Sequence, residues 1–185
     1  MIVIALGANV RGSMGSPART LRMVEKWLDE APLRKVSMSG LHVSAPFGLR
    51  AQPPFVNAVA VVETALSARD LLRHLAMLEG RAGRRRGADW GPRALDLDLI
   101  DFHRKVRRPP GMGRLAAGRA AHLWQKRGLT LPHPGLAERP FVLIPLAEIA
   151  PAWRHPVTGR SAAQMLAMLP GRLRASCRPM TRGPW

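Results

Sequence analysis

Residues 90–99, WGPRALDLDL, constrain the fold of this 185-residue chain more than any other stretch. From Ala94 to Leu99 the leucines alternate with Asp96 and Asp98, which predicts a strand with one buried face and one face that carries both carboxylates. Carboxylates two positions apart on a strand lie about 6.6 Å apart along it, so both can reach metal ions between them. Unless a cation neutralises them they repel each other, and at least one shifts towards its protonated form.

Basic residues stand immediately upstream of this predicted strand. The run GRRRG occupies residues 83–87, Arg93 is closer still, and Gly91-Pro92 predicts a turn between the two. Each part alone is ordinary, because an isolated DLD is more often a solvated strand face and an arginine run is usually a solvated or nucleic-acid-facing surface. Together, carboxylates that can hold a cation and guanidinium groups that can hold phosphate favour metal-nucleotide chemistry.

The length and composition are those of one globular domain with a proper core, with 46% hydrophobic and 22% charged residues. No apolar stretch approaches the roughly 20 residues of a membrane helix. Residues 1–6 are apolar but lack the features of a signal peptide, and they predict a first strand. A cytoplasmic location without membrane contact is therefore expected. The single cysteine, Cys177, excludes an intrachain disulfide.

The formal net charge of +17 predicts an anionic partner. Nucleic acid, an anionic membrane surface and a small polyanionic substrate all fit this charge. The basic residues gather in three stretches, 84–93, 104–127 and 172–182. The second lies in residues 103–128, which predict a mobile basic insertion. The third lies in residues 171–185, which predict a loose basic tail after a single domain of residues 1–170.

Apolar periodicity and turn signals predict the order strand, helix, strand, strand, helix, strand over the first 102 residues. The candidate strands are residues 2–6, 35–44, 55–63 and the DLD strand, and the candidate helices begin after Ser16-Pro17 and after Ser67. This order is that of the split βαβ plan, an α+β fold whose largely antiparallel sheet has helices on one face. Further helices are predicted at 139–149 and from Ser161 to Leu169.

Taken together, several motifs resemble the 6-hydroxymethyl-7,8-dihydropterin pyrophosphokinase family. The resemblance covers roughly residues 1–102 and 129–170. Its elements are ALGAN at 5–9, QPPFVN at 52–57, GRRR at 83–86, WGPRALDLDL at 90–99, and LPHP at 131–134 followed by RPF at 139–141. The combination WGPR-x-x-DLD is highly specific, whereas the first and last elements alone are weak.

The resemblance implies an enzyme of folate biosynthesis. Members of this family transfer the terminal diphosphate of ATP to the hydroxymethyl oxygen of a reduced pterin and leave AMP. They use two magnesium ions and a ferredoxin-like fold. For this chain the resemblance therefore implies a ferredoxin-like α+β protein that acts as a monomer, takes small-molecule substrates and does not bind nucleic acid.

The resemblance also implies a role for each matching residue. Asp96 and Asp98 would bind both magnesium ions, and Arg84 and Arg93 would engage the ATP phosphates and help to close the site. Further nucleotide contacts would come from Arg86, Trp90, His133 and Arg139. The pterin pocket would be formed by Ser44, Ala45, Phe47, Phe55, Asn57 and Phe141. In this pocket Asn57 would bond the pterin edge and the two aromatic rings Phe55 and Phe141 would stack on its faces.

Three positions depart from the family pattern. Asp89 stands where members usually carry arginine, which removes one cation from the predicted closing loop. Ala76 stands where a polar nucleotide contact is common, and residues 103–128 replace a much shorter connection.

A small RNA-binding module is the alternative, since split βαβ sheets can bind RNA through exposed aromatic residues and basic loops. The chain has few aromatic residues, no tyrosine and no RNP-like run, which argues against this alternative. Steep loss of binding with ionic strength would favour RNA binding, and pterin-dependent conversion of ATP to AMP would favour the enzyme.

Overall fold

The computed structural model of the protein describes residues 1–46, 51–84, 91–107 and 129–181. Its strands are β1 (Ile2–Ala8), β2 (Arg34–Met38), β3 (His42–Ser44), β4 (Phe55–Glu63), β5 (Asp96–Phe102) and β6 (Cys177–Pro179). Its helices are α1 (Pro17–Trp27), α2 (Ala68–Arg81), α3 (Pro140–Ile149), α4 (Ala162–Met168) and α5 (Gly171–Ala175), and a 3-10 turn, Leu136–Glu138, precedes α3.

The strands form one sheet in the order β5-β1-β4-β3-β6, and β2 also pairs with β4. Each strand pairing within the described residues is antiparallel. The nine-residue strand β4 pairs with β1 along one edge and with β3 and then β2 along the other. These features confirm the predicted α+β class with a largely antiparallel sheet.

The prediction of one strand over residues 35–44 is wrong, because this segment forms β2 and β3 with a break between them. In the break Ser39 stays attached to β4 through its backbone N–H, which donates to Val59 O at 2.9 Å. Gly40 instead turns its N–H to Glu148 Oε1 on α3, at 2.8 Å. A hydrogen bond to Glu148, 108 positions away in the sequence, thus interrupts the strand.

The two helices of the predicted split βαβ plan share one face of the sheet, as expected, but the two later helices lie on the other face. Helices α1 and α2 pack on one face, where Leu21, Val24 and Leu75 meet the even-numbered residues of β1. Helices α3 and α4 pack on the other face, with Leu143 and Met165 in the core. The reason is that β1 is buried along its whole length, and a strand that is apolar on both sides needs a layer on each side.

The C-terminal segment is part of the sheet, so the prediction of a loose tail is wrong for residues 171–181. Strand β6 pairs with β3 at the edge of the sheet, with Cys177 opposite Ser44, and the Cys177 side chain is buried. The Met180 N–H then donates to Leu41 O at 2.8 Å. This added strand covers polar backbone groups that an edge strand would otherwise expose.

The predicted basic insertion lies mostly outside the described residues, which end at Arg107 and resume at Leu129. On either side of the gap Arg107 and Leu131 bond to each other's backbone in both directions, at 2.9 Å. The insertion therefore leaves and re-enters the domain at one place. Among the described residues, no helix combines the length and apolar character needed to span a membrane.

Candidate active site

A cavity of about 600 Å³ lies where β1 ends and β4 and β5 begin, and it is lined both from the α3 face of the sheet and by residues of α2. Gly7 in β1 stands opposite Asn57 in β4 and opposite Asp96 in β5, so one row across three strands forms part of the cavity wall. Ala5 and Gly7 are the residues that β1 contributes on this face. Because both are small, the central strand leaves space between the carboxylates on one side and the amide on the other.

Every predicted site residue that the structure describes lines this cavity. These residues are Ser44, Ala45, Phe55, Asn57, Arg84, Arg93, Asp96, Asp98, His133, Arg139 and Phe141. Phe47, Arg86 and Trp90 lie outside the described residues, as does Asp89. Ala76 also lines the cavity, on α2, where it offers only a methyl group.

Asp96 and Asp98 point to the cavity from β5, and the leucines between and after them are buried on the opposite side. Each carboxylate lies against a guanidinium group. Asp96 Oδ1 is 3.0 Å from Arg84 Nη1 and 3.3 Å from Arg93 Nη1, and Asp98 Oδ2 is 3.2 Å from Arg139 Nη1. Burial, and then the charge of Asp98, raise the pKa of Asp96 to about 6 despite the nearby Arg84. The predicted electrostatic repulsion between the two carboxylates is therefore present, and it helps to raise the pKa of Asp96.

His133 lies behind Asp98 at the same end of the cavity. Its Nδ1 accepts from the Gly135 N–H at 3.1 Å, so the neutral ring carries its proton on Nε2. That atom is 3.7 Å from Asp98 Oδ2 and 3.4 Å from Arg139 Nη1. Burial and then the Arg139 charge lower the pKa of His133 to about 3. His133 is therefore a neutral N–H donor at physiological pH, and the positive charge next to Asp98 comes from Arg139.

Glu79 on α2 is a site residue that the sequence analysis missed. Its Oε1 accepts from the Leu97 N–H at 2.8 Å and pairs with Arg84 Nη1. It thus holds Arg84 beside Asp96 and fixes the start of β5. The signal was present in the sequence, because position 79 continues the buried stripe of Leu71 and Leu75 at four-residue spacing. A carboxylate on an apolar helix face needs polar partners.

The buried Glu79 carboxyl predicts an unusual dependence of stability on pH. Burial raises its pKa from 4.5 to about 7. Between those values the unfolded chain releases the proton and the folded chain keeps it, so the free energy of unfolding falls as pH rises. The fall reaches about 3 kcal/mol, at 1.36 kcal/mol per pKa unit. Chemical denaturation of the protein without metal or nucleotide, from pH 4.5 to 8, measures it.

Glu79→Gln is the matched variant for this prediction, because glutamine has nearly the same shape and does not titrate. Asp96 adds a fall of the same sign between pH 3.8 and about 6, and its charge is one of the causes that raise the pKa of Glu79. The difference between the two stability curves above pH 6, where Asp96 is mostly ionised, therefore reports chiefly on Glu79. Identical slopes between pH 5 and 7 would show that Glu79 keeps its ordinary pKa in the folded state.

The other end of the cavity holds Asn57, whose side chain is 3% exposed. Its Nδ2 donates to Ser44 Oγ at 3.0 Å and to Phe55 O at 3.3 Å, which fixes the plane of the amide. Phe55 and Phe141 both line this end and are only partly buried. The Arg139 guanidinium lies 5.7 Å from the centroid of the Phe141 ring. A polar amide edge therefore stands among partly exposed aromatic faces.

The donor set of the cavity fits magnesium held together with a phosphate substrate. In the described part of the chain, no group of three or more histidine, cysteine, aspartate or glutamate side chains could hold a metal ion. Magnesium does not need such a group, since it is usually bound by one or two carboxylates and completes its octahedron with water and substrate phosphates. Asp96 and Asp98 supply that pair.

One end of the cavity has three carboxylates and three guanidinium groups, and the other has an amide beside two aromatic rings. This arrangement fits an enzyme that transfers phosphoryl groups from a nucleotide. The family model of 7,8-dihydro-6-hydroxymethylpterin-pyrophosphokinase (HPPK) matches residues 3–151. The chain belongs to this family. Membership confirms the resemblance and the predicted class of enzyme, an ATP-using pyrophosphokinase.

Individual relatives support this assignment. A 2-amino-4-hydroxy-6-hydroxymethyldihydropteridine pyrophosphokinase of Pseudomonas aeruginosa is 35% identical over 170 residues, which are 91% of each chain. The folic acid synthesis protein fol1 of Pneumocystis carinii is 32% identical over 162 residues, 88% of this chain but 19% of that protein. The solved wild-type HPPK-DHPS of Plasmodium falciparum with SDX-DHP has a TM-score of 0.63 over 90% of this chain. At 14% identity and 43% coverage of the larger chain, that likeness supports the fold alone.

Proposed function

We propose that this protein transfers the β,γ-diphosphate of ATP to the hydroxymethyl group of 6-hydroxymethyl-7,8-dihydropterin and releases AMP. The observation that carries the proposal is the division of one cavity into two ends. One end concentrates Asp96, Asp98 and the arginines, and the other holds the Asn57 amide between aromatic residues. The charged end suits the phosphate tail of a nucleotide, and the end with the amide and aromatic rings suits a flat polar heterocycle. The transfer requires both surfaces side by side.

The proposed reaction joins the two ends. The hydroxymethyl oxygen attacks the β-phosphorus, the bond from that phosphorus to the oxygen of the α-phosphate breaks, and AMP leaves with that oxygen. The hydroxyl proton is released to solvent. Two magnesium ions between Asp96 and Asp98 would supply charge neutralisation on the phosphate oxygens. Such a transfer depends on positioning and charge stabilisation more than on a protein nucleophile.

Each side chain of the phosphate end has a part in this proposal. Arg84 and Arg93, which pair with Asp96, would turn to the phosphates once metal ions take over the carboxylate. Arg139, which pairs with Asp98, would likewise turn to the phosphates. The neutral His133 would donate its Nε2–H to a phosphate oxygen. Arg86 and Trp90 remain proposed nucleotide contacts.

At the pterin end, the Asn57 Nδ2 is committed to Ser44 and backbone oxygens, so its Oδ1 would accept from the pterin edge. Phe55 and Phe141 would stack on the ring, and Ala45 and Phe47 would complete the pocket. All of these residues come from one chain, which supports action as a monomer with a single pyrophosphokinase domain over residues 1–170. We also propose a cytoplasmic location, where ATP is available.

The decisive experiment mixes the protein with magnesium, ATP and the reduced pterin and follows AMP by chromatography. AMP and the pterin diphosphate are expected in equal amounts. Omitting the pterin, or adding a chelator in excess over magnesium, is expected to stop AMP formation. AMP formed at the same rate without pterin, or no AMP with all three present, would contradict the proposed function.

A further inference from the structure

The Glu148 carboxylate, near the end of α3, contacts both sides of the break between β2 and β3. Its Oε1 accepts from the Gly40 N–H at 2.8 Å, and its Oε2 lies 3.5 Å from His42 Nε2. The Glu148 side chain is 45% exposed, whereas that of His42 is 4% exposed. A carboxylate at the surface is thus attached to a buried ring at the start of β3.

The His42 ring is held on its other side as well. Its Nδ1 is 3.1 Å from Gly40 O, and because a carbonyl oxygen only accepts, Nδ1 is the donor in this contact. Gly40 O also accepts from Ser39 Oγ at 2.9 Å, and Ser39 Oγ accepts from the Val59 N–H of β4 at 3.0 Å. The contacts of Glu148 therefore continue into the middle of the sheet.

The same strand leads from His42 to the pterin end of the cavity. His42 stands opposite Asn57, and its carbonyl oxygen accepts from Asn57 Nδ2 at 3.4 Å. Ser44 lies two positions further on the same face of β3, and its Oγ accepts from the same Nδ2 at 3.0 Å. Since β3 has only three residues, the position of its first residue largely sets that of Ser44. Glu148 does not line the cavity, but it acts on the amide proposed to bind the pterin.

Glu148 is also attached to the opposite wall of the pterin end through its own helix. Phe141, which lines the cavity, stands seven positions before Glu148 on α3. Seven residues are about two turns and about 10.5 Å of helix, so the two side chains leave α3 on nearly the same side. The contacts of Glu148 with Gly40 and His42 therefore tie the helix that carries Phe141 to the strand that carries Ser44.

We infer that Glu148 is a positioning residue for the pterin, which holds α3 on β3 so that Phe141 and the Asn57 amide keep the spacing that a flat heterocycle needs. The carboxylates proposed to bind metal lie on β5, at the other side of the sheet from β3. Nucleotide binding is therefore expected not to depend on Glu148. The inference rests on the proposed function for the identity of the ligand.

Glu148→Ala removes both contacts and tests this role. We expect the KM for the reduced pterin to rise about tenfold, because a hydrogen bond to a charged group is lost. The kcat and the KM for ATP are expected to stay within about twofold of the natural values, as for a change that affects only the binding of one substrate. Steady-state rates of AMP formation, with each substrate varied in turn, measure all three constants.

Three further variants make the result specific. Glu148→Gln keeps an oxygen acceptor for the Gly40 N–H and is expected to restore a pterin KM close to the natural one. Glu63→Ala is the matched control, because the exposed Glu63 carboxylate also attaches two strands, through Arg34 of β2, but lies outside the cavity. It is expected to leave the pterin KM unchanged. His42→Phe keeps a ring without nitrogens, so a smaller rise is expected, and it decides the matter if Glu148→Ala does not fold.

An unchanged pterin KM in Glu148→Ala and His42→Phe, or an equal rise in the KM values for pterin and ATP, would overturn the inference. The AMP assay on the natural protein separates this failure from failure of the proposed function. If the natural protein forms AMP and the variants keep its pterin KM, then the role of Glu148 alone is wrong. If the natural protein forms no AMP, the proposed function itself fails.

Discussion

Asp96→Asn is expected to lower the rate of AMP formation by at least about 1,000-fold without lowering the unfolding temperature. The activity falls because an amide cannot neutralise magnesium as a carboxylate does. Metal charge stabilisation is worth several kcal/mol, and each 1.36 kcal/mol is a factor of ten in rate. Stability is retained because the partly exposed Asp96 carboxylate lies beside Asp98 and has a raised pKa, and its replacement relieves that repulsion. AMP assays and thermal unfolding measure the two effects.

Asp101→Asn is the matched control, since it makes the same change on the same strand. The fully buried Asp101 carboxylate accepts from Trp153 Nε1 at 2.9 Å and from the Arg104 N–H at 3.0 Å, and it does not line the cavity. We expect this variant to lose about 1–3 kcal/mol of stability and to keep its activity while folded. Normal turnover in Asp96→Asn would refute the proposed metal role.

The elements that the sequence predicted well are those set by local pattern. Alternation at Asp96 and Asp98 predicted a strand with a polar face, and the structure places both side chains in the cavity. Ser16 and Ser67 cap helices α1 and α2 as expected, each accepting from a backbone N–H three residues later. Periodicity and capping depend on neighbours within one turn or one strand, so they can be read directly from the chain.

The parts that were not predicted depend on contacts between distant residues. The break after β2 involves a bond from Gly40 to Glu148, and the ordered C-terminal segment requires the free edge of β3. The pattern of either segment alone contains neither partner. The continuous apolar run of residues 2–6 was itself a signal for a layer on each face of the sheet, but only the contacts of α3 and α4 show which helices form the second layer.

In the candidate site too, the residues set by local motifs were predicted, and those that depend on distant contacts were not. Residues within recognisable motifs, such as the pair of carboxylates and His133, were named from the sequence and line one cavity. Glu79 was missed, although its place in the buried stripe of α2 was visible in the sequence. Its importance comes from Arg84 and Leu97, and only the fold supplies these partners.

Arg84→Ala is expected to reduce kcat for AMP formation by about 1,000-fold, with a smaller change in the affinity for ATP. The Arg84 guanidinium lies between Glu79 and Asp96, at the start of the basic run, where it can move onto the transferred diphosphate. An arginine that stabilises charge in the transition state of phosphoryl transfer is worth roughly 10³–10⁵ in rate. Interactions made mainly in the transition state lower kcat more than they raise KM.

Two variants distinguish this role from a general loss of positive charge. Arg84→Lys keeps the charge but cannot serve two carboxylates with one planar group, so an intermediate rate is expected. Arg81→Ala removes an arginine three positions away, which pairs with Glu30 and lies over the Trp27 ring outside the cavity, and it is expected to leave kcat unchanged. Steady-state kinetics with all three proteins test this. Equal losses in Arg84→Ala and Arg81→Ala would show that the basic surface as a whole, and not the position of Arg84 beside Asp96, determines the rate.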